Sequence, residues 1–282
     1  MASRNRPTTT WALGEEAVGR SHREPMIDPE LAALIDEEWR IYLDAEGNPV
    51  VVRPSIPLPY WGDAERFLQS ALKIVTVGLN PSRREFPAHD PFLRFRAAEG
   101  FDPLDRSATA RAAYLTALHD YFRIAPYRAW FDWFEQVLRG MDASFFDGAR
   151  NTAVHADLCS PLATDPTWSK LDRGREAFLA DGVPLWHRLI EYLAPDVIVV
   201  SVAKRYRDLI SFASPDGWEP FCTISRDHLG MRPYVVTGQR VELANGARPL
   251  LVFGPAAQLP FSTLDKAKRQ DIGRAILNQL SS

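Results

Sequence analysis

The run KIVTVGL at residues 73–79 decides the fold. Ile74, Val75, Thr76 and Val77 are all β-branched and uncharged, the composition of a strand buried on both faces of a parallel sheet. Three runs of the same kind follow: TAVHADL (152–158), PDVIVVSV (195–202) and RPLLVFG (248–254). Between them lie helical stretches, TARAAYLTALHDYF (109–122), YRAWFDWFEQVL (127–138), VPLWHRLIEYL (183–193) and AKRYRDLISF (203–212), and DKAKRQDIGRAIL (265–277) closes the chain. Strands alternating with helices predict an α/β fold, a three-layer α/β/α sandwich with a central, mainly parallel four-stranded sheet, over residues 56–282. Ahead of it, PELAALIDEEW (29–39) predicts a helix and RIYLDAEGNPVVVRP (40–54) a hairpin, together a 26–55 extension. Residues 1–25 mix Pro, Thr, Arg and Glu without periodicity and are expected to form a flexible arm.

The 282 residues are 46% hydrophobic and 24% charged, a globular profile that excludes disorder along most of the chain. The formal charge of −3 excludes a wholesale basic coat, so a nucleic-acid partner has to be held by local basic patches. Two cysteines, Cys159 and Cys222, exclude a four-thiolate zinc or iron–sulfur site and a disulfide framework within one chain, and point to free thiols in a reducing cytoplasmic compartment. No apolar run approaches the roughly 18 residues that span a bilayer, and the six His include no HExxH or close pair. No membrane, metal or cofactor is expected, and a monomer is expected. Neither a P-loop nor a Gly-x-Ser-x-Gly elbow occurs.

In parallel α/β sheets ligands sit beyond the carboxyl ends of the strands. The segment after the first strand reads Gly78-Leu79-Asn80-Pro81-Ser82-Arg83-Arg84, in which Gly permits close backbone approach, Pro stiffens the exit and Asn presents an amide at the strand tip. The second strand ends in Val154-His155-Ala156-Asp157-Leu158-Cys159-Ser160-Pro161, and the last in Phe253-Gly254-Pro255-Ala256-Ala257-Gln258-Leu259-Pro260. Taken in order, these three segments resemble motifs of the uracil-DNA glycosylase superfamily, in particular its Gly-x-Asn-Pro branch of mismatch-specific and single-strand-selective enzymes. The resemblance spans roughly residues 70–275. It leaves the first 55 residues, the aromatic helix and the insert from 214 to 247 unexplained.

The resemblance implies a monofunctional DNA glycosylase that extrudes a base and hydrolyses its N-glycosidic bond, with Asn80 orienting the attacking water. Gly78 and Leu79 would flank the base. Asp157 stands where the family carries a base-reading Asn. A carboxyl group holding one proton matches cytosine, accepting from its amino group and donating to N3, and burial favours that protonated form. Ser82 stands where the strict uracil enzymes place a Tyr beside C5 of the base, which leaves room for a C5 substituent. Together these residues point to a 5-modified cytosine, with hydroxymethylated or glucosylated cytosine of phage DNA as natural source. Plain uracil is the alternative target. The stacking aromatic is either Phe92, twelve residues past Asn80, or Phe86, six past, each with a core role as its alternative.

Gly254 stands where the family has a His that assists the leaving base; backbone N–H groups or the Gln258 amide are the substitutes, and Leu259 is either a wedge into DNA or a packing residue. DNA phosphates are expected at Arg83, Arg84, Lys204, Arg205 and Lys266, with Pro255 and its neighbours entering the groove. The missing His keeps a second class open, a non-catalytic DNA-binding protein on the same fold. Trp130, Phe131, Trp133 and Phe134 are expected to pack between helix and sheet. PYVVTGQRVELANG (233–246) is expected to form a hairpin that walls the pocket or touches DNA.

Overall fold

A computed structural model describes residues 27–171, 174–226, 229–256 and 258–281; the expected arm at 1–25 lies outside the described residues. The helix α1 (Pro29–Asp44) begins where the Asp28 carboxylate accepts from the backbone N–H groups of Glu30 and Leu31, with Pro in the first turn. Leu31, Leu34, Ile35, Trp39 and Tyr42 recur at three- and four-residue spacing and are buried. The hairpin expected over 40–54 does not form. Helical periodicity carries on through Ile41 and Tyr42, the Tyr42 hydroxyl donates to Ser55 O at 2.8 Å, and only a single bridge, Val51 to Thr164, stands in place of a second strand. Val52, Ile56 and Leu58 are fully buried in the common core, and α1 packs on α6 (Arg175–Leu193), so residues 27–55 complete the domain.

In chain order the remaining elements are β1 (Tyr60–Trp61), α2 (Ala64–Gln69), β2 (Ile74–Gly78), α3 (Ala108–His119), α4 (Tyr121–Ile124), α5 (Arg128–Arg139), β3 (Ala143–Ser144), β4 (Asn151–Asp157), β5 (Val197–Val200), β6 (Glu219–Arg226), β7 (Met231–Arg240), β8 (Leu250–Phe253) and α7 (Lys266–Ser281). The sheet runs β1-β4-β2-β5-β8-β7-β6, with β3 pairing the start of β4. Its centre, β4-β2-β5-β8, is parallel. Every residue of β2, β5 and β8 is buried, and successive strand residues face opposite sides, so both faces of this centre are covered.

The four-stranded sheet read from the sequence is thus the parallel core of an eight-stranded mixed sheet. Antiparallel β1 flanks one side, and β7 and β6 extend the other. The hairpin expected within 233–246 is displaced. β7 takes up residues 231–240 as one strand, pairs with β6 on one side and β8 on the other, and so widens the sheet. AKRYRDLISF yields only a 3-10 segment, Lys204–Leu209.

Candidate functional site

Gly78 ends β2 directly opposite Asp157, the last residue of β4. The ladder continues past both strands: Leu158 N donates to Gly78 O at 3.1 Å and Cys159 N to Leu79 O at 2.8 Å. Further out, Thr164 N donates to Pro81 O and Arg83 N to Thr164 O. The Asn80 loop is therefore stitched to the segment leaving β4. Beyond these strand ends opens a cavity of about 470 Å³, also walled by the exits of β5 and β8.

Asn80 and Asp157 both line it. The Asn80 amide nitrogen donates to Pro81 O at 2.7 Å, to Thr164 Oγ1 at 2.9 Å and to Leu162 O at 3.3 Å. Two of these partners are backbone carbonyls, which only accept, so the amide has one sensible setting. Its Oδ1 has no hydrogen-bond partner among the described residues and remains an acceptor for a water or ligand.

Asp157 is buried, with Oδ1 3.3 Å from His155 Nε2, while His155 Nδ1 lies 2.7 Å from Thr76 Oγ1. Where the Thr76 hydroxyl donates to Nδ1, the shorter contact, rather than to Val154 O at 3.4 Å, the ring proton sits on Nε2 and faces Asp157 Oδ1. Burial raises the Asp157 carboxyl above its ordinary range, opposed by the smaller pull of His155. The imidazole is boxed by Trp61 and Phe131, each with its ring centroid 5.1 Å away. Cys159 is buried and its thiol is pushed upward by burial, so it is no thiolate nucleophile at neutral pH.

A second carboxyl lines the cavity, and the sequence reading missed it. Glu85 is buried, accepts from the Tyr121 hydroxyl at 2.5 Å, and has Arg94 Nε 3.7 Å from the same oxygen. Burial pushes it up to about 7, opposed by Tyr121 and Arg94 and reinforced by the charge of Asp157. The only local sign was an acidic residue next to an apolar one five positions past Asn80.

The aromatic wall differs from expectation. Phe86 is fully buried and stacked on Phe95 at 5.1 Å, and Phe92 packs against the core; neither lines the cavity, because the loop folds back over its own aromatic residues. Trp61, Tyr127, Trp130 and Phe131 form the wall instead. Of the four α5 aromatics expected to pack, Phe131 and Phe134 are buried. Trp130 is half-buried on the cavity, and Trp133 carries the Arg269 guanidinium over its ring at 4.2 Å.

Gly254 is buried and its N–H donates to Val200 O at 2.9 Å, while a side chain there would collide with the Phe261 ring; it is a packing glycine, not a surface contact. Pro255 is exposed, its carbonyl accepting from the Tyr234 hydroxyl at 2.7 Å. Gln258 and Leu259 line the cavity, as do Ser82 and Leu79. Among the cations, Arg84 and Arg205 are exposed on its rim, joined by Lys170, which the sequence reading did not pick out. Arg83 pairs with Asp165 at 3.4 Å, and Lys204 is exposed but outside the lining. Lys266 belongs to a separate depression with Arg128 and Arg139, because the loop before α7 carries that helix start away from the cavity.

No family model and no curated protein matches this chain. Among the described residues no group of His, Cys, Asp and Glu is arranged to hold a metal ion, and no helix is long and apolar enough to cross a membrane. What the cavity offers is an oriented amide acceptor, two buried carboxyls whose pKa values burial raises, an aromatic wall and a cationic rim. That set suits a flat, hydrogen-bonding ligand attached to an anionic chain.

Proposed function

We propose that the protein is a monofunctional DNA glycosylase, on an α/β/α sandwich of the uracil-DNA glycosylase type, that removes a 5-modified cytosine and leaves an abasic site. The observation that carries this reading is that Asn80 and Asp157 line one cavity at the ends of paired parallel strands. The flipped base stacks against the aromatic wall, and protonated Asp157 donates to N3 while its other oxygen accepts from the exocyclic amine. His155 holds the accepting oxygen. Asn80 Oδ1 accepts from the attacking water and its dipole stabilises positive charge growing on the sugar.

Ser82 gives the C5 side of the base room, and about 470 Å³ falls within the roughly 300–1,000 Å³ of pockets that take whole small molecules, so a hydroxymethyl or glucosyl-hydroxymethyl substituent fits by volume. Arg84, Arg205 and Lys170 supply the phosphate contacts, with steep salt dependence. Such an enzyme acts in defence against DNA carrying modified cytosine.

The test is a panel of single- and double-stranded oligonucleotides carrying uracil, mismatched thymine, hypoxanthine, cytosine, hydroxymethylcytosine and its glucosides, with released bases weighed by mass spectrometry. Release of a 5-modified cytosine with an alkali-labile site is expected; release of uracil alone reassigns the target. A second reading, a non-catalytic DNA-binding protein, is favoured by buried Gly254, which removes the leaving-base donor of the related enzymes. Binding across the panel with no base released would select it.

A further inference from the structure

Glu85 belongs to the same loop as Asn80, and its backbone N–H donates to Ser82 O at 3.0 Å in the turn that follows the loop proline. Its Oε2 is occupied by the Tyr121 hydroxyl and approached by Arg94. Its Oε1 has no hydrogen-bond partner among the described residues, although the residue is buried and forms part of the cavity wall. A carboxylate oxygen on the cavity wall, without a partner among the described residues, is an acceptor open to a proton donor in the cavity. Tyr121 and Arg94 account for Oε2 and not for Oε1, and desolvation of the carboxyl works against stability.

We propose that Glu85 is the general base that takes the proton of the attacking water, working with Asp157 as the acid that protonates the departing base. This rests on the glycosylase reading of the same cavity and adds a residue to it. The C1′–N1 bond breaks and its electron pair leaves with the base. The Asp157 proton moves to N3, so the base departs neutral. The water oxygen bonds to C1′ and its proton passes to Glu85, after which Glu85 gives that proton up to solvent and Asp157 takes one back. Atoms and charge balance without a metal or an oxidant.

The groups acting on Glu85 are Tyr121 of α4, Arg94 of the segment between β2 and α3, and Asp157 of β4. Its position near 7 makes it half ionised at neutral pH, and the charge of Asp157 disfavours its ionisation. A bound cytosine N3 accepts from Asp157 and holds it protonated and neutral, which lifts the charge that disfavours ionised Glu85 and leaves Glu85 as the carboxylate. The rate therefore falls on the acid side as Glu85 takes a proton, and on the alkaline side as the pair loses its last one.

The experiment is single-turnover base release by the full chain from a 5-hydroxymethylcytosine oligonucleotide, or from whichever base the wild type releases, between pH 5 and pH 9. Glu85→Gln should slow release by about 100-fold or more, abolish the acid limb and leave oligonucleotide affinity within about twofold. Tyr121→Phe keeps the carboxyl but removes a hydrogen bond that favours its charged form, so its acid limb should move to higher pH. That arm decides the matter if Glu85→Gln fails to fold. A wild-type rate and profile in Glu85→Gln, or an unmoved limb in Tyr121→Phe, overturns the proposal while the glycosylase reading stands. A wild type that releases no base overturns both.

Discussion

A Cβ placed on Gly78 would lie 2.4 Å from Asp157 Oδ1 and 3.0 Å from His155 Nε2. The missing side chain at the tip of β2 is what lets the carboxyl and the imidazole occupy the cavity floor. Gly78→Ala should therefore displace Asp157 and cost about 1–3 kcal/mol, the range for overpacking a tight interior. Denaturant unfolding reads the stability, and base release by the surviving folded protein reads the displacement. A variant of wild-type stability and unchanged base preference would mean that the floor yields easily and that the glycine is incidental.

Asn80→Ala removes the free amide oxygen while leaving the cationic rim in place. Base release should drop by about 100- to 1,000-fold, the usual cost of losing one oriented polar group at a reacting centre, while salt-sensitive DNA binding persists. The lost bonds to Pro81, Leu162 and Thr164 loosen the loop, so the comparison belongs in protein shown to be folded. Turnover at the wild-type rate would take Asn80 out of the mechanism.

On the glycosylase proposal, Asp157→Asn exchanges a carboxyl that would donate to N3 of cytosine for an amide that would accept from N3–H of uracil. With a matched two-point base contact worth roughly 1–3 kcal/mol, the preference should shift toward uracil by about tenfold to a hundredfold, measured as the ratio of release rates from matched oligonucleotides. Ser82→Tyr should add selective loss of C5-substituted bases. An unchanged profile in Asp157→Asn would place base reading elsewhere in the cavity.

The parallel core was legible because a strand covered on both faces needs apolar residues at every position, as in Ile74–Val77 and Val197–Val200. The edges were not. β1 and β3 are two residues each, and β6 has no buried residue, so neither length nor pattern marked them. Asn80 and Asp157 were legible because strand ends in such sheets converge on one rim. Glu85 was hidden because its surroundings come from Tyr121, 36 residues on, which no local pattern reveals. The same holds for the aromatic wall: α5 carries aromatics on several faces, and only packing decides which one meets the cavity.

Trp130 and Phe86 offer a controlled contrast, since Trp130 is half-buried on the cavity wall and Phe86 is fully buried against Phe95. Trp130→Ala should weaken substrate binding by about 1–3 kcal/mol, the worth of one base–aromatic stack, at small cost in stability. Phe86→Ala should do the reverse and lose about 3–5 kcal/mol of stability through the cavity it leaves. Paired melting and oligonucleotide titrations check both. Weakened binding in Phe86→Ala at native stability would restore it as the stacking residue.

Glu38 lies far from this chemistry in sequence and bears on stability alone. It is 1% exposed, accepts from the Tyr114 hydroxyl through Oε2, and leaves Oε1 buried without a partner among the described residues. Burial raises its pKa well above 4.5, so the folded state holds a proton that the unfolded chain releases. The sign follows: the stabilising contribution is complete below about pH 4.5 and is lost as pH rises toward the folded value. Glu38→Gln cannot ionise and escapes that loss, while its amide oxygen still accepts from Tyr114. Between pH 5 and pH 8 its unfolding free energy should therefore fall less than that of the wild type, by denaturant titration at each pH; equal slopes would show that Glu38 reaches water or a partner when it ionises.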